Sequence, residues 1–507
     1  GKITSLFCKK IYLTDDNPRS ENPNKIRNEI IRNIRNNNFF NIGNRFKAIK
    51  NAILNAGPNE IVLVAGKGHE EKQIYKNKII YISDKQLIKK IKIKRRKISQ
   101  RDQNFINNKI IVKNITKIKR VENFHGLSID TRSIKKGNLF LTIKGKKNDG
   151  IKFIKKALKK GAKYIVTSKN SKKFKRKVIR VNNVIKFLNE FAIQKRNLSK
   201  AKIIGITGSA GKTSLKNLIK DLLQNFGETI CSPKSFNNHL GVPLSLSQLN
   251  TKHNHGIFEI GMSKAGEINT LSKIIQPHIG VITNIGEAHI ENFKNLRGIA
   301  DAKGEIIKNI KKNGTIILNR DDKYFSYLEK KATKKNLKIV TFGLSRKSHY
   351  FPRKLSQNKN YKLMTIKVKN EIFKIEIKNI NIYNVLSSIA LLSELNYDLR
   401  KIIKHFKNYE PTEGRGKIYK VKRYKKTFKL VDESYNANPL SVKSAINNFN
   451  SIKKQNFKKY LLLGDMLELG KKSDELHKDL SKVINNSDID KVFIKGVKTL
   501  TTYKNII

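Results

Sequence analysis

The chain has 507 residues, too many for a single hydrophobic core, so several domains are expected. Lys and Arg number 108 against 39 Asp and Glu, and a net charge of +69 would ordinarily point to nucleic acid or an anionic membrane. The basic residues are spread along the whole length, however, and no apolar run reaches the roughly 18 residues of a membrane span, which argues against both.

Lys, Ile and Asn, all three of which have codons built only from A and T, dominate throughout, so the charge reads as compositional drift. No nucleic-acid partner and no stable membrane insertion are expected. The chain has no signal-peptide pattern, and Cys8 and Cys231 are too few and too far apart for a disulfide framework. A reducing, cytoplasmic setting follows. Oligomeric state is not written in the sequence.

In chain order, Ile11–Thr14 and Glu60–Ala65 read as short strands, and Asn24–Asn36 has helical spacing through Ile26, Ile30 and Ile34. This alternation predicts an α/β layer over residues 1–96. A very basic stretch follows, with a linker at 97–108. A small domain spans 109–200, with strands at Asn138–Ile143 and Tyr164–Thr167 and a helix at Ile151–Lys160 closed by Gly161. A larger α/β domain runs over 201–410, and a last domain over 411–507 has strands near Lys429–Asp432, Tyr460–Leu463 and Lys491–Ile494.

The strongest chemical signal is the run from Ile203 to Ser214, IIGITGSAGKTS, followed by a helix over Leu215–Leu223. A strand, a glycine loop and a helix N-terminus turn backbone N–H groups and positive potential towards a phosphate. Gly208, Ser209, Gly211, Lys212, Thr213 and Ser214 form this loop. Lys212 suits the β/γ-phosphates and Thr213 a Mg2+ ion, so ATP is the expected nucleotide. A full Walker pattern has glycine at 206, where Ile206 stands, so the loop is a shortened form.

That shortened loop resembles the loop of the Mur ligases. Further stretches resemble the branch of that family that adds D-alanyl-D-alanine. They are SIDTR from Ser128 with GNLF from Gly137, NNHLGVP from Asn237, EIGM from Glu259 with GEI from Gly266, and Ala288-His289. AKGEI from Ala302, DESYNANP from Asp432 and LGDMLELG from Leu463 complete the set. Together they cover about 109–507. Residues 1–96 resemble instead the C-terminal domain of the Mur ligase that adds the third amino acid, through TDDNPR from Thr14 and AGKGHE from Ala65.

The resemblance implies an α/β, multidomain Mur ligase architecture with a P-loop central domain and Rossmann-like C-terminal domains. It implies an ATP-dependent amide ligase of peptidoglycan precursor synthesis, with UDP-N-acetylmuramoyl-tripeptide and D-alanyl-D-alanine as substrates and an acyl-phosphate intermediate. In that scheme Lys212, His289 and Lys303 are catalytic, Lys303 as a carbamate. Thr213, Glu259 and His289 hold Mg2+. Asn381, Arg415 and Asp432 meet the nucleotide base and ribose. Ser128, Asp130, Thr131 and Arg132 belong to the UDP-sugar end, and Asn237, Asn238 and His239 line the path to the peptide. Asn17, Arg19, Gly66 and Glu70 match amino-acid contacts of the other ligase, and DNPR favours diaminopimelate. The sequence departs from the family at Ile380 and at Ile151, where histidines are usual.

Both ends read as cut short, so the chain is expected to be part of a longer fusion of two ligases. A non-catalytic fragment and another Mur or folylpolyglutamate-type ligase are the alternatives. An upstream phosphate loop in the parent reading frame would favour the fusion.

Overall fold

The computed structural model describes residues 1–34, 38–56, 61–67, 70–81, 83–88, 107–118, 120–145, 148–169, 176–358, 361–423, 426–452, 454 and 457–507. The chain divides into two compact units, Gly1–Asn107 and Asn108–Ile507.

In the first unit, the strand Ile11–Leu13 pairs in parallel with Phe39–Asn41, and the helix Pro23–Arg32 joins them. Asn22 caps that helix and Pro23 opens it, as helix N-termini favour. An antiparallel hairpin joins Lys72–Tyr75 to Lys78–Tyr81. The strand expected at Glu60–Ala65 does not form over 61–65, and Glu60 lies outside the described residues, as do Gly68, His69 and most of the 97–108 linker. Ile61 is 97% exposed and Leu63 is 82% exposed, while Val64 packs against the Ile49–Leu87 cluster, so the run adds a single side chain to that cluster instead of pairing as a strand among the described residues.

The second unit begins with a four-stranded parallel sheet in the order Leu127–Ser128, Leu139–Leu141, Tyr164–Thr167, Val178–Arg180. The expected helix at Ile151–Lys160 is split. A 3-10 turn, Gly150–Phe153, capped by Asp149, precedes a short α-helix, Ile154–Lys159. Gly161 closes it at φ +89°.

The centre is a six-stranded, all-parallel sheet. Its spatial order is Thr229–Cys231, His255–Glu259, Lys202–Thr207, Ile279–Ile282, Thr315–Asn319, Lys338–Phe342. The first strand of the domain therefore stands third; the next strand lies at one edge, the one after it fills the gap between them, and the last three run outward on the other side. That is the switch point at which open α/β sheets form a crevice outside their strand ends. Both faces are covered, so the strands are nearly continuous apolar runs. Ile203 packs into one core with the helices Glu267–Ile275, Leu296–Lys308 and Phe325–Thr333. Ile204 and Ile206 pack into the other, against Lys212–Leu223 and Ile382–Glu394. Gly205 lies between them in a tight spot, since a Cβ there would lie 3.1 Å from Ile275 Cδ1 and 3.2 Å from Ile306 Cδ1 and both side chains would have to give by a few tenths of an ångström.

A three-stranded antiparallel sheet, Pro352–Gln357, Lys362–Val368 and Glu371–Ile377, closes the second core. The last region carries the hairpin Lys417–Arg423 with Lys426–Asp432 and the parallel pair Tyr460–Gly464 with Lys491–Lys495. Its residues Ile446, Leu463, Met466, Leu469, Leu476, Leu480 and Ile484 join the first core of the central sheet.

Candidate functional site

The strand Lys202–Thr207 ends at the switch point, and the chain turns there through Gly208 at φ +146°. A side chain at 208 would collide with Thr283, because an added Cβ would stand 1.9 Å from its hydroxyl. The neighbouring strand end locks the turn. Thr283 Oγ1 donates to Ala210 O at 2.7 Å, and Ala210 N donates to Asn284 Oδ1 at 2.8 Å. Ser209 Oγ donates to Gly286 O at 2.9 Å. The helix Lys212–Leu223 starts directly after Gly211. The Lys212 ammonium donates to Gly208 O at 2.6 Å. Burial lowers its pKa, opposed by Glu259 and assisted by Arg415.

Glu259 closes the adjacent strand His255–Glu259 and is 1% exposed. Its carboxylate is the centre of the site. Thr213 Oγ1 donates to Oε2 at 2.8 Å and Asn237 Nδ2 donates to Oε1 at 2.8 Å, while Lys216 Nζ stands 3.6 Å from Oε2. A hydroxyl and a carboxylate oxygen so close together are the hard donors that Mg2+ prefers when phosphates and water complete its shell. Among the described residues no group of three or more His, Cys, Asp or Glu forms a cation site, so protein ligands alone do not make one. Asn238 and His239 follow on the same loop. Asn238 Oδ1 accepts from Gly241 N at 2.9 Å, at the start of the helix Gly241–Leu246, whereas His239 is exposed.

His289 sits at φ +60° and its imidazole pairs with Glu468 of the last region. Burial lowers its pKa, Glu468 opposes that shift, and Lys303 and Lys212 add to it, so these cations stand close by. Lys303 is 2% exposed, on the helix Leu296–Lys308. Desolvation first and Lys212 second push its pKa well below the ordinary lysine value. Glu305, in the same sequence motif, has a different task. Its carboxylate accepts from Gly266 N at 2.7 Å and Asn269 N at 2.9 Å, serving the start of the helix Glu267–Ile275, whose N-cap residue Gly266 has no side chain to do so.

Beside the loop lies a cleft of about 2260 Å³, bordered by Gly211, Ser214, Asn381, Asn384 and Arg415. Asn381 caps the helix Ile382–Glu394 through Tyr383 N. The Arg415 guanidinium lies 4.4 Å from the centre of the Tyr435 ring. Asp432 directs its carboxylate to Gly414 N, Ser434 N and Ser434 Oγ, bonds that hold its pKa down and fix the turn that presents Arg415. Asn438 links the last region to the phosphate loop. Its Oδ1 accepts from Ser441 N at 2.9 Å, and its Nδ2 donates to Ser209 O at 3.3 Å.

Ser128, Asp130, Thr131 and Arg132 form a separate cluster at the end of the strand Leu127–Ser128. Ser128 Oγ donates to Asp130 O, and Arg132 pairs with Asp130 at 2.7 Å while 86% of its side chain stays exposed. The first unit has its own polar cluster. Asn17 Nδ2 donates to Glu70 Oε2 at 2.5 Å, and Asn17 Oδ1 accepts from Ile74 N. Arg19, at φ +52°, is exposed and donates its backbone N–H to Ile74 O. Gly66 adjoins Asp16 at φ +105°. The sequence-predicted residues thus fall into three groups: the loop with Glu259, Asn237, His289, Lys303, Asn381 and Arg415; the 128–132 turn; and the cluster of the first unit. Lys216, Glu468 and Asn438 take part in the first group and were not singled out from sequence.

Fold and loop define a P-loop α/β protein. Residues 206–392 match the Mur ligase middle domain, 123–196 the Mur ligase family catalytic domain, and both 1–68 and 416–503 the Mur ligase glutamate ligase domain. The chain is 34% identical to the UDP-N-acetylmuramoyl-tripeptide–D-alanyl-D-alanine ligase of Rickettsia prowazekii, covering 75% of this chain and 84% of that one. To the ligase of the same name in Bacillus subtilis it is 31% identical, covering 73% and 80%. The chain belongs to the Mur ligase family. Its fold is similar to that of the Acinetobacter baumannii MurF structure, with a TM-score of 0.70 at 24% identity over 78% of this chain and 87% of that one. The Thermotoga maritima MurF ligase, solved as a complex with ADP, gives a TM-score of 0.65 at 25% identity, covering 75% and 86%.

Proposed function

We propose that residues 108–507 join D-alanyl-D-alanine to a UDP-N-acetylmuramoyl-tripeptide at the expense of ATP, in the cytoplasm. The observation that carries this is the convergence of Lys212, Thr213, Glu259, His289 and Lys303 at one set of parallel strand ends, in a chain similar to ligases of that name. In this reading the acceptor carboxylate attacks the γ-phosphorus and expels ADP, giving an acyl phosphate. The amine of D-alanyl-D-alanine then attacks that carbonyl and expels phosphate. Mg2+, when bound, neutralises phosphate charge. Thr213 and Glu259 would hold it, with His289 at a second position. Lys212 would leave its loop carbonyls for the phosphate oxygens. The cleft with Asn381 and Arg415 would take the base and ribose, and Asp432 would position Arg415. The 128–132 turn would meet the UDP end, and Asn237, Asn238 and His239 the peptide. Catalysis then rests on positioning and charge neutralisation.

Lys303 would act as a carbamate. Carbamylation needs a neutral amine, and burial beside Lys212 favours the neutral form. Residues 1–96 would be the C-terminal domain of a third-residue-adding ligase, with Asn17, Arg19, Gly66 and Glu70 forming its amino-acid-reading surface; a phosphate loop is lacking in that sequence.

The test is phosphate release from ATP with UDP-N-acetylmuramoyl-tripeptide and D-alanyl-D-alanine. Lys303→Ala should lose most activity and regain part of it with added formate or acetate. Lys303→Arg should stay inactive, because guanidinium is not carbamylated. A fully active Lys303→Arg variant would remove the carbamate, and no turnover with these substrates would remove the assignment.

A further inference from the structure

The first turns of the helix Lys212–Leu223 carry one feature that the reading above does not use. Lys216 lies four residues after Lys212 and three after Thr213, so all three share the helix face turned to the strand ends. Its side chain is 0% exposed, and a lysine is almost never buried to that degree without partners. Two partners are present. The ammonium donates to Lys234 O, which a left-handed turn at Lys234, φ +47°, presents to it. It also stands 3.6 Å from Glu259 Oε2, the same oxygen that accepts from Thr213. One side chain thus ties the phosphate-loop helix to Glu259 and to the loop that carries Asn237, Asn238 and His239.

We propose that Lys216 is the resident counter-ion of Glu259, a positioning residue that holds this carboxylate and the 232–239 loop in place when no divalent cation is bound. Taking a carboxylate out of water is costly unless a cation pairs with it, and Lys216 stands in direct ion-pair distance of Glu259. The same ammonium then opposes an incoming cation, because like charges a few ångströms apart repel strongly in a site shielded from water. Lys216 therefore preorganises the cation ligand and limits how tightly the cation stays.

This rests on Glu259 being a cation ligand, and the two ideas fail separately. In the full chain, Mn2+ binding in the presence of ADP is titrated by electron paramagnetic resonance, and melting is followed without metal or nucleotide. Lys216→Met should bind Mn2+ roughly tenfold more tightly than the parent, the direction expected when one like charge is removed. The metal-free variant should melt at a lower temperature, and adding Glu259→Gln should restore most of that loss. A merely structural lysine would lower melting without tightening Mn2+. Unchanged or weaker Mn2+ binding by folded Lys216→Met overturns the proposal, as does a double variant no more stable than Lys216→Met. If Lys216→Met alone does not fold, a folded double variant supports the pairing and an unfolded one refutes it. Unchanged Mn2+ binding by Glu259→Gln removes the cation-ligand reading instead, while the melting cycle still measures the Lys216–Glu259 pair.

Discussion

Residues 1–68 and residues 416–503 match the same family domain, and they are held together by different forces. The later segment contributes Ile446, Leu463, Met466, Leu480 and Ile484 to the core that covers one face of the central sheet. The earlier one has a small apolar cluster in its unit, with Ile49 and Leu87 buried at its heart. It is braced by ion pairs: Arg27 with Asp15, and Arg45 with Asp84 at 2.6 Å, with Arg45 also donating to Ala65 O. Apolar burial is non-directional and lets one segment share a neighbour's core. Charged hydrogen bonds are directional and hold a local cluster in one geometry without such a neighbour. The later segment thus shares the core of the sheet that carries the phosphate loop, and the first unit, taken by itself, keeps an ordered Asn17–Glu70 contact with little core beneath it.

The largest effect that would test this division is chemical. Lys212→Ala in the full chain should lower ligation by roughly 10²–10³-fold, the scale of losing one charge that stabilises developing phosphate charge. Neither parent nor variant should add a third-residue amino acid to a dipeptide acceptor. Turnover of that second kind, followed by phosphate release, would give residues 1–107 an activity of their own.

Stability separates the segments next. Ile446→Ala, at a position 1% exposed, should cost about 3–4 kcal/mol and weaken nucleotide binding with it, because the shared core holds the cleft. Arg45→Met should cost about 2–3 kcal/mol by leaving Asp84 without its partner, and should leave ligation unchanged. Chemical denaturation with parallel activity assays measures both. Equal loss of ligation in the two variants would erase the distinction.

The smallest effect is acid sensitivity. Burial lowers His253, His255 and His278 of the second unit to about 4 from an ordinary 6.5. Between pH 6.5 and 4 the unfolded state therefore binds more protons than the folded state, so stability falls as pH falls through that window. Each histidine contributes at most about 1.4 kcal/mol per pH unit, and roughly half of that after allowing for partial solvent access. Melting curves from pH 7 to 4 should move the second unit's transition down, and His255→Gln should flatten that slope. The first unit has one histidine, His69. An equally steep fall of its transition would contradict this account.

The phosphate loop was legible because its chemistry is contiguous: strand, glycines, lysine and helix follow within twelve residues, Ile203 to Ser214. Glu259, Asn237, His289 and Lys303 were legible one at a time through motif resemblance, but their convergence depends on parallel pairing across the sheet, such as Glu259 opposite Ile206. Lys216 was not legible. In a chain with 108 basic residues a helix lysine reads as a solvated face, and only the packing of that helix on the strand ends buries it. The motifs containing Glu305 and Asp432 did not reveal the further hydrogen bonds by which these carboxylates hold a helix start and a turn. The run at 61–65 has strand composition and no strand, because pairing needs a neighbour that composition does not supply.

Asn438 has a consequence for chemical durability. Its side-chain oxygen caps the helix Pro439–Asn450 and its side-chain nitrogen reaches the phosphate loop, so both ends of one amide are in use. Conversion to aspartate would keep the cap but replace the donor with an oxygen facing the Ser209 carbonyl. Asparagine usually ages into aspartate when the next backbone N–H attacks its side-chain carbonyl and closes a succinimide ring. The next residue here is Pro439, whose nitrogen carries no hydrogen. The residue that opens the helix therefore also shuts the main route by which this link between helix and loop would decay with time.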